Sequence, residues 1–282
     1  MKLRKHFSKL LVAAVALGLA GTATTAVAGR GGSHATLKRA IATDNADTIA
    51  RKLEQAEYLW SGAAINTVMA LLDHQDYKVR EAAAWWFSRR PAQAAEIHER
   101  SVALLQGGDA VLARNAADAL GAFHHPRAIA ALSASLDNGA LDAEARGHVM
   151  RALGNIGHGD ATAALSRGLA DGDAFVRLEA VLAWSKIRGQ QGAAPVAALV
   201  ADGDAVVRKE AAAVVGRFRE ASARSALENA LANDADPFVR RNAAYALGRI
   251  GDASSRSVLE AAVNDSSPLV RGYARAALRS IR

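Results

Sequence analysis

Apolar residues are spaced along this chain in short bursts of helical period, and the bursts come in pairs. In "DPFVRRNAAYALGRIGD", which begins at Asp236, the residues Val239, Ala243, Ala246, Leu247 and Ile250 form one stripe at 100° per residue. Arg241, Tyr245 and Arg249 fall on the other side. A shorter apolar-periodic stretch, "ARSALENALA", precedes this one. The two together predict a helical hairpin whose second helix buries the Val239 stripe.

The same frame is written seven times. It recurs as "DYKVREAAAWWFSRR" from Asp76, "DAVLARNAADALGAF" from Asp109, "DAEARGHVMRALGNIG" from Asp142, "DAFVRLEAVLAWSKIRG" from Asp173, "DAVVRKEAAAVVGRFRE" from Asp204 and "SPLVRGYARAALRSIR" from Ser267. With the Arg of Val-Arg as position 0, the equivalent residues are Arg80, Ala113, Arg146, Arg177, Arg208, Arg240 and Arg271, separated by 33, 33, 31, 31, 32 and 31 residues. Self-similarity at such a period marks an array of stacked supersecondary units. Position −4 is Asp, or Ser in the last copy, which predicts an N-cap. Pro237 and Pro268 follow it, where a first helical turn tolerates proline.

The frame assigns faces. Positions −1, +3, +6, +7 and +10 are core. Positions +4 and +8 are mostly small: Ala84, Ala117, Ala212 and Ala244, then Ser88, Gly121, Gly154, Ser185, Gly216 and Gly248. They are expected to face the next copy. The last copy carries Arg275 and Arg279 there instead, which predicts a polar outer end, an array that stops at the seventh copy and a chain that is not a fragment. At the other end, "SHATLKRAIATDNADTIARKLEQAEYLWSG" repeats Ile49, Leu53, Ala56 and Leu59 or Trp60 at helical spacing and reads as an N-terminal cap. Positions +1, +5 and +9, with +2 beside them, are left for solvent.

The pattern resembles the HEAT-like repeats also found in phycobilin lyases, with the clearest matches at Val239-Arg240, Ala246-Leu247-Gly248 and Ile250-Gly251-Asp252, and at Ala152-Leu153-Gly154 with Ile156-Gly157. The resemblance covers about residues 61 to 282. It implies an all-α, armadillo-like solenoid in which the second helix of each hairpin lines the concave surface. The expected partner-binding residues are then Trp85, Arg89, Asp118, Arg151, Lys186, Arg217, Tyr245 and Arg249. The expected function is an exported, non-enzymatic scaffold or assembly factor with a protein partner, no nucleic acid and no cofactor. Two other readings stay open: a lyase or isomerase acting on a pigment or cofactor, as the resemblance implies, and an envelope protein binding an anionic polymer.

The beginning of the chain bears on location. Lys2, Arg4, Lys5 and Lys9 precede an apolar run from Leu10 to Ala20 and a small-residue end at Ala26-Val27-Ala28. This is the layout of a secretory leader cleaved after Ala28, and the expected domains are a leader over 1–28, a linker and cap over 29–60, and the array over 61–282. An uncleaved anchor is the alternative, because the run approaches spanning length. Cleavage predicts a periplasmic or secreted protein with no stable membrane insertion. It removes four of the 35 basic residues and none of the 28 acidic ones, which takes the net charge from +7 to +3. The case for nucleic acid built on a pI near 10 weakens accordingly.

No cysteine is present, which excludes disulfides, thiolate metal sites, cysteine nucleophiles, covalent haem and a lipid anchor on cysteine. There is no G-x-S-x-G, no H-E-x-x-H and no phosphate-binding glycine loop. His125 and His158 share position +12 in adjacent copies, with His124 beside them, but they read as turn residues standing where Asp252 stands in the sixth copy. The arginines at position 0 are expected to pair with Asp171, Asp202, Asp234 and Asp265 in a structural ladder. In "AAAWWFSRR", Trp86 and Phe87 fall at +6 and +7, so Trp86 should be core and face the N-terminal cap. Trp85 falls at +5 and should face solvent, and Trp184, at +7, should be core.

Overall fold

The computed structural model describes residues 33–281. The expected leader over 1–28 and its cleavage site lie outside the described residues. Among the described residues two helices come first, α1 (His34–Ile41) and α2 (Ala46–Gln55), capped by the side chains of Ser33 and Asn45. Seven hairpins follow. Their second helices are α4 (Tyr77–Ser88), α6 (Ala110–Ala122), α8 (Ala143–Ile156), α10 (Ala174–Trp184), α11 (Ala205–Phe218), α13 (Pro237–Ile250) and α15 (Pro268–Leu278). The first helices are α3 (Gly62–Ala70), α5 (Pro91–Gln106), α7 (Ile129–Ser135), α9 (Thr162–Leu169), α12 (Arg224–Asn233) and α14 (Arg256–Ala262). In the fifth hairpin Ala194–Ala201 winds as a 3-10 helix instead of the α-helix expected from its apolar period. First helices of seven or eight residues elsewhere in the array are α-helical, and what sets this one apart is Pro195, Val196 and Val200, poor α-helix formers. No strand occurs among the described residues.

Each second helix starts where the cap pattern says. Asp76, Asp109, Asp142, Asp173, Asp204 and Asp236 each accept a hydrogen bond from a backbone N–H of the first turn. Ser267 holds the N-cap position of α15, yet its side chain makes no capping bond. Asp265 takes the Ser267 N–H at 2.7 Å, so the turn is held by the residue two places upstream.

Successive second helices stack on one another in chain order, and they meet along more of their length than the first helices do. Glycine sets that approach. A Cβ built on Gly121 would lie 2.7 Å from Ala152 Cα, on Gly154 2.6 Å from Ala183 Cα, on Gly216 2.8 Å from Ala246 Cα and on Gly248 2.8 Å from Ala277 Cα. Each pair joins position +8 of one copy to +6 of the next. The small residue at +8 therefore does face the next copy, and +6 faces the previous one.

That rule explains Trp86. Its +6 position looks back to α2, where no repeat helix supplies a glycine, and the indole fills the space. Trp86 is fully buried, stacks edge-on against Phe87 at 5.1 Å and donates Nε1–H to the Ala56 carbonyl at 2.8 Å. Arg90, itself buried, lies across the Trp86 ring at 3.2 Å and donates to the carbonyls of Trp86, Glu57 and Leu59. Ile49, Leu53 and Ala56 of the cap are buried around it, whereas Trp60 is exposed and stacks on Arg90 from outside. Trp184 is buried and donates to the Gly192 carbonyl at 3.0 Å.

The arginine ladder is present in four steps: Arg146–Asp171, Arg177–Asp202, Arg208–Asp234 and Arg240–Asp265, each at 2.7 to 2.8 Å. In the last three steps the same arginine also donates Nη1–H to two carbonyls of its own turn, as Arg240 does to Asp234 and Ala235. Arg146, Arg177 and Arg240 hydrogen-bond to Asp171, Asp202 and Asp265 and hold those carboxyls below their ordinary range. Arg80 departs from the ladder. The position that would supply its carboxylate is Gly107, so Arg80 reaches Asp118 instead, at 2.7 Å.

Candidate functional site

Helix geometry places positions −2, +1, +5 and +9 within one arc of each second helix. The structure leaves this arc open at −2, where Val111, Val206, Phe238 and Leu269 are all about half exposed (53%, 45%, 47% and 50%). Sequence reasoning passed over this row. The signal was available, because the residue two places after the cap is Val111, Phe175, Val206, Phe238 and Leu269 in five of seven copies. At the other end of the same helices, position +9 carries Lys186, Arg217 and Arg249. The face thus has an apolar edge at the helix N-termini and a basic edge at the C-termini.

The eight residues expected on this face divide into three groups. Near the cap, Trp85 is half-buried against the N-terminal core, with the Arg89 guanidinium 4.7 Å from its ring centroid. Arg89 is exposed and pairs with Glu57 at 2.7 Å. Trp85 therefore lacks the full exposure that its +5 position predicts, because the turn after α2 reaches over the end of α4.

In the middle, Asp118 contradicts the expectation of an exposed contact. It is 5% exposed, paired to Arg80 through Oδ2 and 2.6 Å from His148 Nδ1 through Oδ1. Its charge is needed inside, where Gly107 leaves Arg80 without a ladder partner. The whole +2 row beside it, expected to border solvent, is also mostly buried: Asn115, His148, Glu179 and Asn242 lie at 3% to 7% exposure. Close stacking of the second helices covers these side chains. Arg151 is half-buried and pairs with Glu179 at 2.5 Å, with the Tyr77 ring 4.8 Å away. Burial opposes the Arg151 charge, but the hydrogen bond and attraction to Glu179 outweigh it and hold its pKa above the ordinary value. Burial, with Glu81 and Asp118 nearby, pushes the Tyr77 phenol far up. Lys186 donates to Asn155 Oδ1 at 3.1 Å. In this half Arg80 and Arg151 are neutralised across the copies by Asp118 and Glu179, and Lys186 is held by an amide.

In the last three copies the picture changes. Arg217 and Arg249 are exposed, and Tyr245 is half-buried and meets Tyr273 edge-on at 6.3 Å. The Arg249 guanidinium lies 6.0 Å from the Tyr245 ring, and Arg241 lies 5.6 Å from Phe238 and 5.8 Å from Tyr273. The structure brings Arg217, Arg241, Tyr245 and Arg249 onto one surface with Phe238 and Tyr273, which were not singled out.

His125 and His158 sit where turn residues should. Each accepts through Nδ1 from a backbone N–H two places on, at 3.1 and 3.3 Å, as Asp252 does from Ser254 at 2.8 Å. Among the described residues no group of three or more His, Asp or Glu is placed to hold a metal ion. No described helix is long and apolar enough to cross a membrane.

Residues 98–183 and 192–279 match the family of HEAT repeats, and the chain belongs to that family. Two solved structures agree at the level of fold. The protein YibA of E. coli is similar with a TM-score of 0.57 and 15% identity over 88% of this chain and 92% of that one. A chain of the Kap95p–RanGDP complex gives 0.54 and 13% identity, over 83% of this chain and 38% of its own length. A chain of the CpcE–CpcF phycocyanin lyase complex of Nostoc sp. PCC7120 has a TM-score of 0.42 and 21% identity over 77% of this chain and 86% of its own. No curated protein matches.

Proposed function

We propose that this chain is an exported, non-enzymatic scaffold or assembly factor that binds another protein along the face of its second helices. One observation carries the reading: seven stacked helices present a continuous face on which exposed apolar side chains stand at position −2 in four copies, Val111, Val206, Phe238 and Leu269, and cationic ones at position +9 in four, Arg89, Lys186, Arg217 and Arg249, while the ionisable groups beneath them are paired with one another. Such rows give a long, graded surface suited to a macromolecule. The basic, apolar and small-residue segments of the first 28 residues support export.

The test is affinity purification from the periplasmic fraction with the full chain as bait. The wild type should retain a defined partner that the Arg217→Glu, Arg249→Glu double variant loses. Equal recovery with both baits, or no specific partner, would overturn the reading.

A further inference from the structure

On this face Arg89 and Arg151 are ion-paired, and the arginines of the fifth and sixth copies are not. Among the described residues no ion pair engages Arg217, Arg241 or Arg249. Each lies beside an aromatic ring: Phe218 at 5.8 Å, Phe238 at 5.6 Å and Tyr245 at 6.0 Å. The carboxylates nearest in sequence are already used: Glu220 accepts from the Ala193 N–H and from Ser222, Asp252 caps a turn and lies 3.4 Å from Arg224, and Asp236 caps α13. The surface therefore presents guanidinium groups against an apolar row, Val206, Phe238 and Leu269, with no carboxylate free to satisfy them.

We infer that this surface binds an acidic amphipathic α-helix of a partner protein, laid across α11, α13 and α15. The inference rests on the protein-binding reading above and names the partner's chemistry. Charge complementarity selects acid over base. The choice of helix over extended chain follows from the backbone. An extended peptide exposes its own N–H and C=O groups and needs side-chain amides to receive them. Here Asn242 donates to the Lys209 carbonyl at 2.8 Å and accepts from Arg241 at 2.7 Å, and Asn155 accepts from Lys186. A helix satisfies its backbone internally and asks only for side-chain contacts.

The dimensions agree. From position −2 to +9 is eleven residues of helix, about 16 Å, which accommodates a helix of about 10 to 12 Å diameter between the apolar and basic edges. Neighbouring second helices stand about 8 to 10 Å apart, which two turns of a bound helix, about 10.5 Å, match. Acidic residues seven apart on the partner would meet Arg217 and Arg249 in turn, and its apolar stripe would lie on Phe238 and Leu269.

Fluorescence anisotropy with the full chain tests this. The probes are a labelled Leu/Glu amphipathic peptide of about 21 residues, about 31 Å as a helix, a scrambled peptide of the same composition, and a Leu/Lys counterpart. The amphipathic acidic peptide should bind at least about tenfold more tightly than either control. The Arg217→Glu, Arg241→Glu, Arg249→Glu variant should lose about tenfold or more. Arg275→Glu with Arg279→Glu, on the outer face of the last copy, should change nothing. Circular dichroism confirms that both variants are folded. Equal binding of the scrambled peptide, or binding unchanged in the triple variant, would overturn the helix assignment. If no peptide binds while a cellular partner still crosslinks to the second-helix face, this inference fails and the protein-binding reading stands. If neither occurs, both fail.

Discussion

Truncating Trp86 to Ala removes the side chain that joins the N-terminal cap to the first repeat. The indole is fully buried, so the lost packing costs about 3 to 5 kcal/mol by analogy with large aromatic truncations. The Ala56 carbonyl also loses its donor, which adds about 1 kcal/mol if water does not replace it. Arg90 then loses the ring beneath it while its charge stays buried, and desolvation already holds its pKa down. The whole array is expected to be stable by only about 5 to 15 kcal/mol, so the loss is large. It is also local, because each unit of a solenoid contacts only its neighbours. Hydrogen exchange read by mass spectrometry should show protection falling across α1 to α4 while α11 to α15 stay protected. Urea unfolding should show a first transition shifted to lower denaturant. Trp86→Phe, which keeps most of the packing and loses the Nε1 bond, should cost nearer 1 to 2 kcal/mol. A loss below about 1 kcal/mol for Trp86→Ala, or an equal loss of protection at both ends, would refute the register that puts +6 against the preceding element.

Trp85→Ala should cost only about 1 to 2 kcal/mol, because the ring is half-buried, and thermal melting beside Trp86→Ala checks the contrast. Arg208→Ala should destabilise by about 1 to 3 kcal/mol by leaving the half-buried Asp234 without its partner, and Arg208→Lys should recover part of it, as denaturant titration would read. The ladder carboxyls have pKa values below the ordinary 3.8, so their contribution is complete above that value and is lost as pH falls through the lower folded values. Thermal melting should therefore weaken below about pH 4 and lose part of this slope, the share of one carboxyl, in an Asp202→Asn variant. Gly216→Ala places a methyl 2.8 Å from Ala246 Cα and should cost about 1 to 3 kcal/mol despite better helix propensity. Gly272→Ala meets nothing within 4 Å and should be neutral or stabilising.

The array was legible because each of its rules is written several times. The Asp caps, the arginine ladder, the glycine at +8 and the turn histidines follow from local chemistry, and repetition separates them from chance. What escaped lies where copies differ from their neighbours. Arg80 binds Asp118 because Gly107 stands where later copies have Asp, a substitution visible in the sequence only when the ladder is traced pair by pair. The +2 row is buried because the second helices approach to glycine distance, and a single-helix wheel does not show how far a neighbouring copy covers its edge. The apolar −2 row was passed over for a related reason. It belongs to the N-terminal turn, and a wheel built on the core stripe gives that turn no weight.

Crosslinking mass spectrometry on intact cells reads the partner and the contacted face of the array together. A protein that binds along its second helices should give crosslinks from Lys186 and Lys209, beside that face, to one partner protein, concentrated on an acidic helical segment. Crosslinks confined to the first helices, or spread over many proteins without a common segment, would contradict that mode of binding.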